Sequence, residues 1–306
     1  MPGRPILGTR GSPLAMVQAQ KVASALEVAN RWPADHIEIR PVKTTGDKIQ
    51  DRPLAEIGGK MLWTKELDRA LVDGEIDFAV HSLKDVEAVR PNGIRIAAVR
   101  PRGDVRETLI GADSIEALKE GAVVGTSSPR RAAQLLSMRP DLKIVPLRGN
   151  VDTRLAKLAA GEVDATLLTA AGLRRLGRTG VGVPIPVEQM LPAPTQAIIA
   201  IECRADDAMT QGMLTIIDDR STHAIANVER AFVRALGGNC HSPVAALAVI
   251  ESGEMWLRTE LYSADGKDKV ADEARFACGA ADAAAALARD MLARAPESIR
   301  QLFAAR

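Results

Sequence analysis

Aromatic side chains are scarce in this 306-residue chain: four Phe, three Trp and one Tyr. Single-stranded nucleic acids are held largely by stacking bases on such rings, so the scarcity argues against a nucleic-acid partner. Cysteine is scarcer still. Cys203, Cys240 and Cys278 are odd in number, far apart and without a CxxC pair, and only four histidines accompany them. Such a set neither staples a secreted domain nor frames a zinc site, so no metal is expected and the thiols are expected to be free. No apolar run reaches the roughly 18 residues that a membrane-spanning helix needs. Residues 1–11 lack the apolar centre of a secretory signal, so a cytosolic protein with no membrane partner is expected. There is no heptad seam, and a monomer is expected. GxxxxGK[ST], GxGxxG, HExxH and GxSxG are missing as well, which removes support for nucleotide binding, zinc proteolysis and serine hydrolysis. Charge of one sign is missing too: 40 Lys and Arg face 39 Asp and Glu, a net +1.

What is present is an alternation of strands and helices, in a chain long enough for two or three domains. Residues 5–9 read as a short apolar strand. Ser12 is a good N-cap and Pro13 suits the first helical turn, where its missing N–H is harmless, so a helix is expected to about Asn30. Residues 37–43 alternate apolar and polar as a strand does, 64–72 are helical, and 76–81 are a buried strand. The pattern then returns: a strand at 123–126, a helix capped by Ser128-Pro129 and running through Met138, a strand at 142–147, a helix at 151–160 and a strand at 163–169. Thr9-Arg10-Gly11-Ser12-Pro13 echoes Thr126-Ser127-Ser128-Pro129, and Gly74-Glu75-Ile76-Asp77 echoes Gly161-Glu162-Val163-Asp164. Two echoes in the same order point to two α/β domains of similar design. Ligands of such sheets bind at the carboxyl ends of strands, where helix starts present free N–H groups, and two such domains facing each other make a cleft. The tail differs. It reads as an amphipathic helix at 222–236, a glycine-rich loop at 237–243, three alternating strands within 244–277 turning at 263–266, and an Ala-rich helix over 280–305. That is the pattern of a small α+β third domain.

Charge is balanced but unevenly spread. Between Thr126 and Arg178 eight Arg and two Lys face four acids, Asp141, Asp152, Glu162 and Asp164. A solvated surface would account for such a block, and spacing narrows the choice. Arg130 and Arg131 fall in the first turn of a helix whose dipole already supplies positive charge. An anion bound there would justify them, although two exposed arginines would leave the same sequence. Arg148 ends the next strand, Arg154 lies in the following first turn, and Arg174-Arg175 follow the strand after that. All share one side of the expected sheet, and Arg forks grip carboxylates bidentately, so the rim suits a carboxylate-rich ligand. His81-Ser82-Leu83-Lys84-Asp85 follows a buried strand. Asp85 there is placed to stabilise a cation and move protons; a surface ion pair with Lys84 or a helix cap is the plainer alternative. Cys240, in Gly237-Gly238-Asn239-Cys240-His241-Ser242-Pro243, is either inert packing or a thiol presented by the glycines. Cys203 and Cys278 lie in strand patterns and read as core.

Six segments resemble one family closely, in the family's order: Thr9-Arg10-Gly11-Ser12-Pro13-Leu14-Ala15, Gly58-Gly59-Lys60, His81-Ser82-Leu83-Lys84-Asp85, Gly125-Thr126-Ser127-Ser128-Pro129-Arg130-Arg131, Leu147-Arg148-Gly149-Asn150-Val151 and Gly172-Leu173-Arg174-Arg175-Leu176. With Ile201-Glu202-Cys203-Arg204 and the Cys240 loop they cover nearly the whole chain, which is similar to hydroxymethylbilane synthases (porphobilinogen deaminases). The resemblance implies two periplasmic-binding-protein-like α/β domains around a cleft, 1–98 with 196–218 and 99–195, and a small α+β domain, 219–306, carrying the cofactor cysteine. It implies a dipyrromethane cofactor bound through Cys240, and stepwise deamination and condensation of four porphobilinogen molecules. Hydroxymethylbilane is then released, and uroporphyrinogen-III synthase is the implied recipient. By the same resemblance Asp85 is catalytic. Ser82, Lys84, Thr126, Ser128, Arg130, Arg131 and Arg148 hold the cofactor, and Arg10, Ser12, Lys60, Arg148, Arg154, Arg175 and Gln196 hold the substrate. The charge agrees: each porphobilinogen brings two carboxylates, and a growing chain needs many fixed cations.

The chain departs from the family in three places. Met61-Leu62-Trp63 follows Lys60 in place of Gly-Leu-Phe, Pro194-Thr195-Gln196-Ala197 stands for Val-Gly-Gln-Gly, and Pro129 replaces a leucine. The two lost glycines put the geometry near an interdomain crossover in question. The alternative reading is a cytosolic carboxylate-binding or sensor protein on the same two-domain scaffold, which would bind reversibly and turn nothing over.

Overall fold

The computed structural model describes residues 4–44, 64–238 and 242–303. The expectations for Lys60, Met61-Leu62-Trp63 and Cys240 fall outside them.

The first sheet grows from the strand-helix alternation of the early chain. Strand β1 (Ile6–Arg10) leads into α1 (Pro13–Asn30), and β2 (Glu38–Val42) follows. Helix α2 (Lys65–Val72) leads into β3 (Phe78–Ser82), and β4 is Ile94–Val99. Strands β1, β2 and β3 run parallel. Side chains alternate between faces along a strand, and here both faces are apolar. Leu7, Phe78 and Val80 pack with Val22 and Leu26 of α1, whereas Ile6 and Ala79 pack with Leu67 and Leu71 of α2. A sheet covered on both faces needs strands that are apolar throughout, which is how β3 reads.

The second sheet repeats the design. It contains β5 (Glu107–Ile110), β6 (Val123–Gly125), β7 (Lys143–Val145), β8 (Ala165–Thr169) and the short β9 (Val183–Pro184), with helices α3 (Pro129–Met138), α4 (Val151–Ala159) and α5 (Ala170–Arg175). With β10 (Ile199–Arg204) added to the first sheet, the strand orders are β2-β1-β3-β10-β4 and β7-β6-β8-β5-β9. In each, the first three strands are parallel and the fourth is antiparallel to both its neighbours. The quoted echoes have a physical basis. Gly74 and Gly161 both take left-handed backbone, with φ 71° and 74°, the region glycine enters at least cost. The acid three residues on then anchors the start of a parallel strand: Asp77 Oδ2 accepts from Ile6 N of β1 at 2.8 Å, and Asp164 Oδ2 from Val123 N of β6 at 2.7 Å. Ser12 and Ser128 both cap helices that start with proline.

Helices α6 (Ala208–Thr215) and α7 (Arg220–Leu236) precede a three-stranded antiparallel meander of β11 (Val244–Glu251), β12 (Glu254–Tyr262) and β13 (Lys269–Ala277). One face buries Ala246, Ala248, Met255 and Leu257 against Phe232 of α7 and Ala284, Ala288 and Met291 of α8 (Ala281–Arg294). The other carries Ala245 and Leu247 against Leu191. The single Ala-rich helix expected over 280–305 is instead two: α8 stops at Arg294, and the short α9 (Glu297–Arg300) begins after Pro296. Proline lacks an N–H and clashes with the preceding turn, so it fits just before a helix and not inside one.

The described chain falls into two compact units, one of 4–44, 64–103 and 197–223, the other of 104–196 with 224–238 and 242–303. The first holds one sheet and the second holds two.

Candidate functional site

In the first unit the candidate residues gather at the carboxyl edge of the parallel strands. Arg10 ends β1, and Ser12 caps α1 by accepting from Ala15 N at 3.3 Å. Ser82 ends β3, its hydroxyl 2.9 Å from Gln18 Nε2 of α1. Leu83 is buried and Leu83–Asp85 make a 3-10 turn, with Val86 N bonded to Leu83 O at 3.0 Å. This turn projects Lys84 and Asp85, both half-buried, beyond the strand end. The Asp85 carboxylate makes no hydrogen bond or ion pair with any described residue. A surface pair with Lys84 or a helix cap would have engaged it, and neither is formed.

Beneath that edge lies a buried charge network that the sequence reading missed. His81 Nε2 is 3.2 Å from Glu202 Oε2, close enough for an ion pair although it forms no hydrogen bond. Arg90 donates to both Glu202 oxygens, at 2.7 and 2.9 Å, to Glu87 at 2.9 Å, and to Asp68. Burial alone would raise Glu202, yet His81 and Arg90 outweigh it and hold the carboxyl at about 2. Asp68 goes the other way: burial outweighs Arg90, and its pKa is raised. The signal was available, because an acid in the middle of apolar β10 has to find cations.

In the second unit the candidates again follow strand ends. Thr126, after β6, is buried, and its hydroxyl accepts from Ser128 N at 3.2 Å. Ser128 caps α3, placing Arg130 and Arg131 in its first turn. Their side chains are buried and not displayed. Glu107, fully buried at the start of β5, takes both: its Oε1 accepts from Arg130 Nη2 and its Oε2 from Arg131 Nη2 at 2.6 Å. Arg130 also donates to Gln134 Oε1 and the Leu191 carbonyl, and Arg131 to the Leu167 carbonyl. The Nε of each arginine is buried and without a hydrogen-bond partner. Burial pushes the Arg130 guanidinium below its ordinary value even beside Glu107. Gln196 is buried and donates to Val105 O at 2.8 Å and Glu107 Oε1 at 3.1 Å. Glu107 is the second residue the sequence reading missed.

Asn150 caps α4 by accepting from Thr153 N at 2.9 Å, and the preceding Gly149 has φ 114° with Thr153 packed where a Cβ would stand. Only glycine fits, and the tight turn sets half-buried Arg148 and Arg154 on either side of it, Arg154 Nε donating to Gly149 O at 3.0 Å. Arg175 ends α5, where desolvation pulls its guanidinium down to about 10.

The two described cysteines differ. Cys203 is core on β10, its thiol pushed up to about 11 by burial. Cys278, expected in the core, is exposed just beyond β13, with Sγ 3.3 Å from Gly253 O; the alternation of β13 was read through its end, and the chain turns off the sheet there. Among the described residues no group of three or more His, Cys, Asp or Glu could hold a metal ion. No helix among them is long and apolar enough to cross a membrane.

Two family models match the chain: "porphobilinogen deaminase, dipyromethane cofactor binding domain" over residues 6–212 and "porphobilinogen deaminase, C-terminal domain" over residues 224–293. A porphobilinogen deaminase of Sphingopyxis alaskensis is 53% identical over 99% of this chain and 98% of its own length. One from Paracoccus denitrificans is 46% identical over 96% of each. Among solved structures, the VFT2 domain of Bordetella pertussis BvgS is 18% identical, with a TM-score of 0.41 over 74% of this chain and 91% of that one.

Proposed function

The chain belongs to the porphobilinogen deaminase family, and we propose that it condenses four porphobilinogen molecules head to tail on a covalent dipyrromethane, releasing hydroxymethylbilane and ammonia. As a family member it is a transferase, with a dipyrromethane-binding domain across residues 6–212. The site reading rests on one observation: a half-buried aspartate at the carboxyl end of β3 whose carboxylate is engaged by no described residue.

The residues present fit a polyanionic cofactor. In the second unit Arg148, Arg154 and Arg175 stand at one sheet edge, and the buried Nε atoms of Arg130 and Arg131 lack partners. An acetate or propionate carboxylate is an acceptor suited to those two Nε atoms. When bound, the dipyrromethane supplies the pyrrole carbon from which the chain is built, and we assign its anchor to Cys240. Thr126 and Ser128 order the backbone at the start of α3. We assign Lys84 and Ser82 to the cofactor as well, and Arg10, Ser12, Lys60, Arg154, Arg175 and Gln196 to the substrate.

In each cycle the bond from the exocyclic methylene of porphobilinogen to its amino nitrogen breaks and ammonia leaves. The pyrrole keeps a delocalised positive charge that its ring N–H shares. Asp85 stabilises that charge by accepting from the N–H, and an aspartate that no described cation engages is suited to this. It also takes up the proton lost when the new carbon–carbon bond restores aromaticity. The domain division 1–98 with 196–218, 99–195 and 219–306, a cytoplasmic location, a monomeric state and hand-off to uroporphyrinogen-III synthase belong to the same proposal.

Intact mass of the denatured protein tests it, beside Cys240→Ser. An excess of two porphobilinogen units less two ammonia, lost in the variant, is expected. A bare polypeptide mass that porphobilinogen does not raise would favour reversible carboxylate binding without turnover.

A further inference from the structure

We infer that Glu107 is a positioning residue for anion binding: its single carboxylate orients Arg130 and Arg131 together, offsets one of their two charges, and ties the pair to Gln196. The geometry is specific. Each carboxylate oxygen takes one guanidinium, and the same Oε1 also accepts from Gln196 Nε2 at 3.1 Å. All four side chains are buried. Gln196 is the last residue of the second unit before the chain crosses to the first at Ala197.

Charge decides what this does. Two adjacent buried cations repel and are costly to desolvate. One anion between them leaves the trio with a net charge of one, which Glu260 beyond Gln134 offsets only from a distance, and the two unpartnered Nε donors are fixed in direction. A ligand carboxylate therefore meets a pre-set pair with one charge still to satisfy. Pre-organised donors lose little freedom on binding. Gln134 braces the other side: its Oε1 accepts from Arg130 at 2.7 Å, and its Nε2 donates to Leu191 O and to Glu260, at 3.0 and 3.1 Å. The inference rests on the reading of this edge as a carboxylate site, and its test does not require porphobilinogen.

Glu107→Gln is nearly isosteric and removes the charge. Cofactor-free variant and parent are melted in sulfate and in chloride at matched ionic strength. Glu107→Gln is expected to melt lower by about 10 °C, as for a broken buried ion pair. It is also expected to gain less than half as much as the parent on adding sulfate, because its arginines are no longer held in the direction an anion needs. A purely structural glutamate predicts the same drop with an unchanged sulfate response, and that result overturns the inference. Glu107→Asp keeps the charge and is expected to restore the parental response. If Glu107→Gln is too unstable to purify, Glu107→Gln/Arg131→Met, which removes the uncompensated cation, is expected to fold; failure to recover it also overturns the inference. Mass gain of the parent with porphobilinogen is scored separately, so loss of the cofactor reading and loss of this one are distinguishable.

Discussion

Asp85, just beyond the end of β3, and Glu202, in the middle of neighbouring β10, are carboxylates with opposite fates. Glu202 is buried, paired with Arg90 and close to His81; Asp85 is half-buried and engaged by no described residue. A committed carboxylate is structural and an uncommitted one is available for chemistry. Asp85→Asn keeps the shape and removes the charge, so turnover is expected to fall by about 10²–10⁴, the usual worth of a positioned acid–base group. The cofactor should stay attached, and kcat measured beside intact mass checks both; near-normal kcat would end the catalytic role. Glu202 predicts a pH effect instead. Its carboxyl, at about 2 when folded against an unfolded value near 4.5, is depressed by His81 and Arg90 despite burial. A depressed acid adds stability above its unfolded pKa and loses it as pH falls through the folded one. Roughly 3 kcal/mol is therefore expected to disappear between about pH 4.5 and 2. Asp68, raised by burial, opposes part of this loss. Glu202→Gln should be less stable at pH 7 and flatter across that window in urea unfolding; an equally steep loss would place the acid sensitivity elsewhere. At this scale Asp85 and the strand-end arginines were legible, because motif and strand end coincide. Glu107 and Glu202 were not. Their importance lies in partners far along the chain, Arg130 and Arg131 for one, His81 and Arg90 for the other, and local pattern carries no trace of such pairings.

Elements were more legible than pairings. The serine caps, the prolines at N1 and the Gly-x-x-Asp echoes are local, and each appears in the structure where sequence puts it. Local signals failed where competing ones overlapped, as at Pro296, where alanine propensity hid a break. The segment Pro194-Thr195-Gln196-Ala197 is the sharper case. The lost glycines suggested altered geometry, yet Thr195 and Ala197 have φ of 59° and 71°, the backbone glycine would adopt. Thr195 N is held by Glu229, itself buried and bonded to Ala248 N at 2.7 Å. Surrounding contacts thus impose a conformation these residues disfavour by about 1–2 kcal/mol each. Ala197→Gly should relieve this and raise stability by about 1 kcal/mol, a Tm gain near 2–4 °C. Ala200→Gly in β10 is the control and should lower it. A loss at both positions would mean that Ala197 is not strained.

Across the molecule the net +1 conceals a separation of charge within one sheet. Asp113, Glu116, Glu120, Asp141, Glu162 and Asp164 all precede the amino ends of β6, β7 or β8, three of them paired with Lys119, Arg139 and Lys157, whereas Arg130, Arg131, Arg148, Arg154 and Arg175 follow the carboxyl ends. Residues 104–196 together are only +2, with 12 cations against 10 acids. The Arg-rich edge is therefore a local field on a nearly neutral unit, and its reach is set by salt. A dianionic substrate approaching that edge should feel it at about 0.01 M ionic strength, where screening extends about 30 Å, and much less at about 0.15 M, where it extends about 8 Å. Accordingly kcat/KM for porphobilinogen is expected to fall several-fold, at most about tenfold, over that range. Turnover at saturation should change little, because bound carboxylates lie in contact with their arginines and are poorly screened. Steady-state kinetics at stepped chloride separates the two constants. A flat kcat/KM would mean that internal acids such as Glu107 and Asp152 already cancel the edge's field, leaving the arginines to act only at contact.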